Sequence, residues 1–195
     1  MGAIELGAGR SRPEGEGAVL AGWAVVAAGA ALLLLRPSLH WATARPAVLV
    51  LMYAGLLAAC AAVPVPSTPG AVSSRAALAV GLAAVGLASL VAGPAPPLRV
   101  GAVAPAVVIN AVAAVAEEAL FRRVLYGRLV GLGVPAAVLG SAVAFAALHV
   151  PLYGTAALWV DLGAGLLLSW QRWASGSWTM PAATHAAANL LAVIR

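Results

Sequence analysis

The chain is expected to fold as an all-α, polytopic transmembrane bundle of about six to seven spans, and three observations lead there. Of its 195 residues, 63% are hydrophobic and 9% charged, whereas roughly a quarter of the residues of soluble domains carry charge. The apolar residues gather in runs of about 18 or more, long enough to cross a hydrocarbon layer of about 30 Å as helices. The 21 glycines and 13 prolines supply breaks between those runs, and the alternating pattern of a membrane β-barrel is absent.

Residues 1–17 mix charged groups with glycines and show no periodicity, so this segment is expected to be a disordered polar tail. Everything from 18 to 195 reads as one transmembrane domain. The first span is 18–35, followed by a connector over 36–46 that carries Arg36, His40 and Arg45. The second is 47–65, closed by Pro64 and Pro66, and a loop leads to the third at 76–92. Prolines over 93–97 cannot extend a helix, because proline lacks the backbone donor. A longer helix over 104–129 ends at Gly131, Gly133 and Pro135. Spans at 136–150, closed by Pro151, at 155–173 and at 181–194 complete the order.

All 11 basic residues are arginines. They are scattered rather than clustered, which argues against a nucleic-acid partner and for anchors at membrane edges facing the lipid bilayer. Their sum across alternate loops favours a cytoplasmic N-terminus only slightly. The Ala- and Arg-rich composition fits a bacterial cytoplasmic membrane. Cys60 is the only cysteine, so no intrachain disulfide forms, and it reads as a small buried hydrophobe.

Three of the six acidic residues lie in the tail, which leaves Glu117, Glu118 and Asp161, each inside an apolar run. A carboxylate at membrane depth costs a few kcal/mol and as a rule faces a bundle interior or a water cavity. Glu118 and Arg122 are four apart in the order that favours a same-face ion pair. Glu117 is turned about 100° from that pair and lacks that partner, and it is expected to be the carboxylate that exchanges protons. His149 follows Phe145 by four residues and Asn189 follows His185 by four, so each pair shares a helix face. His40 reads as a connector residue, and Asp161 as a helix-connecting polar contact or an accessory to the site, the structural reading being preferred.

In order, these residues spell Glu117-Glu118-Ala-Leu-Phe-Arg122, Phe145-Ala-Ala-Leu-His149 and His185-Ala-Ala-Ala-Asn189. The set resembles the EExxxR, FxxxH and HxxxN motifs of the CPBP family, the CAAX proteases and bacteriocin-processing enzymes also called ABI. The resemblance covers 105–195, with Arg123 where the family commonly has glycine. It implies an intramembrane endopeptidase cutting a membrane-associated peptide or protein, prenylated substrates included. The implied catalytic set is Glu117, Glu118, His149, His185 and Asn189, with Arg122 and Phe145 as structural support. In that set Glu117 and His149 activate a water, and His185 and Asn189 stabilise the oxyanion.

The expected chemistry needs no cofactor. A divalent metal such as zinc, held by Glu117, His149 and His185, is the alternative; no HExxH arrangement is present. Two other function classes stay open: a proton-coupled transporter, which would predict repeated halves, and a non-catalytic immunity or scaffold protein.

Overall fold

The computed structural model describes residues 15–43, 46–91 and 100–194, which hold seven long helices and no strand. In lipid the backbone must satisfy its own polar groups, and a chain this rich in Ala and Leu does so as helix. The helices are α1 (Glu16–Thr43), α2 (Pro46–Ala62), α3 (Ser74–Val91), α4 (Val100–Glu118), α5 (Val134–Tyr153), α6 (Leu158–Ser175) and α7 (Thr179–Ile194). Beyond Glu118, α4 continues through a π-helical stretch (Ala119–Leu125), one α turn (Tyr126–Leu129) and a 3-10 turn (Val130–Leu132). Among the described residues, four stretches are long and apolar enough to cross a membrane: Glu16–Ser38, Ser74–Val91, Ala102–Leu132 and Val134–Tyr153. The chain is a multi-pass integral membrane protein.

Several boundaries differ from those expected. Of the expected tail, residues 1–14 lie outside the described residues, and Glu16 already opens α1. The expected connector over 36–46 is helix as far as Thr43, with Pro37 inside it. Likewise α5 passes through Pro151 and stops only at Gly154. In a membrane helix proline costs one hydrogen bond but need not end the element, since neighbours and local adjustments satisfy the freed groups. Helices α2 and α7 are apolar but shorter than a full span, and α6 is not among the apolar stretches. It carries Asp161, Gln171 and Arg172, the last two buried. The proline-rich segment expected over 93–97, together with Arg45 and Arg99, lies outside the described residues.

The α4 rod is central. It packs on α2 and α7, while its π-helical stretch meets α1, α2 and α5; α5 lies along α6, and α3 covers α6 and α7. Leu33, Leu56, Cys60, Leu120, Phe121 and Val124 form much of the buried core around it. Arginines fasten the elements. Arg123 donates to the carbonyls of Cys60 and Ala61, and Arg128 to that of Pro64, which satisfies acceptors left open at and beyond the end of α2. Arg172 donates from Nε to the Arg122 carbonyl at 3.0 Å and from Nη1 to Thr68 Oγ1 at 2.8 Å. The turn after α6 closes on Gly176, whose φ of +69° is the left-handed conformation that favours glycine.

Candidate active site

The π-helical stretch begins one residue after Glu118, a placement often found beside functional residues. Glu117 and Glu118, consecutive on α4, turn to different neighbours. Glu118 is fully buried and its Oε1 accepts from Arg122 Nη1 at 2.9 Å and from His185 Nδ1 at 2.9 Å. Arg122 is itself buried, donates to the Gly165 carbonyl at 3.0 Å and lies over the Phe145 ring at 4.6 Å. This assembly ties α4 and its continuation to α5, α6 and α7 at one point.

Glu117 faces the other way, into a cavity of about 620 Å³. Glu117, His149, His185 and Asn189 all line it, whereas Glu118 and Arg122 lie behind its wall. Glu117 Oε2 stands 3.6 Å from His149 Nε2. The other ring nitrogen of His149, Nδ1, is 2.7 Å from the Phe145 carbonyl; a carbonyl only accepts, so Nδ1 carries the proton of that bond. Asn189 donates from Nδ2 to the Asn110 carbonyl at 3.2 Å, which fixes its amide against α4.

Phe145 sits between the two histidines. Its ring centroid is 4.2 Å from that of His149 and 5.6 Å from that of His185, with Phe121 edge-on at 5.4 Å. Tyr153 stacks on the far side of His149 at 5.8 Å. All three motifs therefore converge, although they come from α4, α5 and α7.

Glu117 stands apart from the Glu118–Arg122 pair and has a cationic partner of its own: Arg36 of α1, 81 positions away, binds its Oε1 from Nη1 at 2.6 Å. The same Nη1 donates to Tyr53 Oη of α2 at 2.9 Å. The expected connector arginine is thus 9% exposed and lines the cavity. Arg36, Tyr53 and Asn110 are site residues that spacing did not reveal. The sequence offered only an arginine directly after the first apolar run, which reads equally well as a membrane-edge anchor. Asp161 lines the cavity as well, and its Oδ2 is buried without a hydrogen-bond partner among the described residues; the expected helix-connecting contact of that oxygen is not made. His40 lies within α1.

Residues 99–191 match the family model described as Rce1-like, Type II CAAX prenyl endopeptidase Rce1-like. Over that segment, just under half of the chain, the protein is similar to the CPBP, or CAAX-protease, family. No curated protein and no solved structure matches it. The match supports a CAAX-type intramembrane endopeptidase, an enzyme that hydrolyses peptides. The matched segment takes in every motif residue and leaves out Arg36 and Tyr53.

Proposed function

We propose that this protein hydrolyses a peptide bond with a water held between Glu117 and His149. The carrying observation is the 3.6 Å separation of Glu117 Oε2 and His149 Nε2 on the cavity wall. That is too long for a direct hydrogen bond, yet one water can donate a proton to each atom, since both are acceptors when Nδ1 of His149 carries the ring proton. The polarised water oxygen attacks the carbonyl carbon. Its proton passes to the Glu117–His149 pair and then to the leaving amine as the C–N bond breaks.

The developing oxyanion needs donors. Asn189 Nδ2 spends one hydrogen on the Asn110 carbonyl and has a second to offer. His185 gives Nδ1–H to Glu118, so it donates from Nε2 as well when protonated, with the Glu118 carboxylate as countercharge. Glu118 and Arg122 then act as positioning residues behind His185, and Phe145 holds both imidazoles in place.

No metal enters this scheme. Among the described residues no three His, Cys, Asp or Glu side chains are grouped to hold one. Nδ1 of each histidine already has a partner, and a guanidinium occupies the side of Glu117 where a second cation would be repelled. The substrate we infer is a membrane-presented peptide, lipidated ones included, because the cavity walls supplied by Leu49, Val85, Ile109, Leu152 and Leu168 are apolar. A bacterial cytoplasmic membrane is the inferred location, from composition. The test is cleavage of a panel of prenylated and unmodified peptides by purified protein in bilayers, with and without a chelator. Cleavage that survives chelation and is lost in His149→Gln is expected; activity abolished by chelation and restored by zinc would overturn the metal-free scheme.

A further inference from the structure

We infer that Arg36, with Tyr53, is a positioning residue for the reaction, supplying the countercharge and the orientation of Glu117 from outside the segment that matches the family. The inference rests on the reading of Glu117 as the group that activates water. Arg36 Nη1 holds Oε1 of Glu117 at 2.6 Å, and this leaves Oε2 as the oxygen facing His149. Tyr53 Oη, 2.9 Å from the same nitrogen, fixes the guanidinium in turn. The three side chains are buried: Arg36 is 9% exposed, Glu117 3% and Tyr53 2%.

Charge arithmetic gives the pair its purpose. A carboxylate in a dry interior needs a cation, and the second cation near the site, Arg122, is bound to Glu118 and does not line the cavity. Without Arg36 the nearest basic group to Glu117 is His149. The two would then pair directly, and that pairing removes the acceptor that a bridging water requires. With Arg36 in place, Glu117 has its ion pair on one oxygen while the other stays free to share a water with a neutral imidazole. Arg36 lines the cavity, so it is also close enough to meet substrate directly; the two roles separate in kinetics, since positioning acts on kcat and binding acts on KM.

The test compares Arg36→Lys and Arg36→Gln with the native protein in bilayers, with kcat and KM measured at equal folded fraction and Glu117→Gln run beside them. Misplacing a reacting group by about 1 Å costs on the order of 100-fold. Arg36→Gln is therefore expected to lose about 100-fold in kcat with KM changed less than about two-fold, while Arg36→Lys, which keeps the charge, recovers at least about ten-fold of that loss. Combining Arg36→Gln with Glu117→Gln is expected to cost little beyond Glu117→Gln alone, because the arginine acts through the glutamate. Equal kcat for the Lys and Gln variants overturns the inference, and so does a rise in KM with kcat intact. Should Arg36→Gln not fold, the double variant, which removes both charges together, gives the comparison: a residual rate well below that of Glu117→Gln overturns the inference too. An inactive Glu117→Gln beside a fully active Arg36→Gln removes this inference and leaves the proposed function standing; a fully active Glu117→Gln removes both.

Discussion

At the scale of single residues, the site was legible as far as local spacing reaches. Residues four apart on a helix meet, so spacing alone pairs Glu118 with Arg122 and Phe145 with His149. It does not pair Glu117, whose partner sits on another helix 81 positions away and reaches it only because α1 packs on the π-helical stretch. Phe145 carries more than spacing showed: it touches both histidine rings, Phe121 and the Arg122 guanidinium. Phe145→Ala is expected to cost about 3–5 kcal/mol of stability, the usual range for deleting a buried phenyl ring, with loss of cleavage. Phe145→Leu, which refills most of the volume, should recover much of the stability but little of the cleavage, since a leucine cannot stack on the two imidazoles. Thermal unfolding in detergent together with a cleavage assay checks both; full activity in Phe145→Leu would show that the ring contacts do not position the histidines.

At the scale of elements, apolar run length and glycine or proline breaks were enough to locate all seven helices, and the errors fell at boundaries. Pro151 reads as a stop and is helical, and the connector expected over 36–46 is helix through Pro37 as far as Thr43, because the penalty for a lost backbone bond in a membrane helix is met by tertiary context that a sequence does not display. The polar character of α6 also follows from packing. Gln171 donates from Nε2 to the Ala77 carbonyl and to Thr184 Oγ1, both at 2.9 Å, joining α3, α6 and α7. Gly81 of α3 makes room for that junction: a Cβ there would overlap both Gln171 Nε2 and Thr184 Oγ1. Two effects oppose each other in Gly81→Ala. Helix propensity favours alanine by about 1 kcal/mol, while displacing a buried amide from its partners costs about 1–3 kcal/mol. Net destabilisation is expected, read as a lower unfolding temperature in detergent; a raised temperature would mean that the junction yields without cost.

At the scale of the whole molecule, arginines explain why charge counting said little about orientation. Arg36, Arg122 and Arg172 are buried and bonded within the bundle, and Arg123 and Arg128 bond the end of α2 and the chain beyond it. Several charges that a topology rule treats as loop anchors are instead internal fasteners. The same economy shapes the site: half of the chain supplies the motif residues and the other half supplies Arg36 and Tyr53, so the cavity is complete only when α1 and α2 close on α4. The central claim is that Glu117 is the carboxylate that activates water in that cavity. Its most direct test is the single-turnover rate of Glu117→Gln on a peptide the native protein cleaves, in bilayers and at equal folded fraction. A loss of at least about 100-fold is expected, at the low end for general base catalysis, with peptide binding retained; cleavage at the native rate would contradict that role for Glu117.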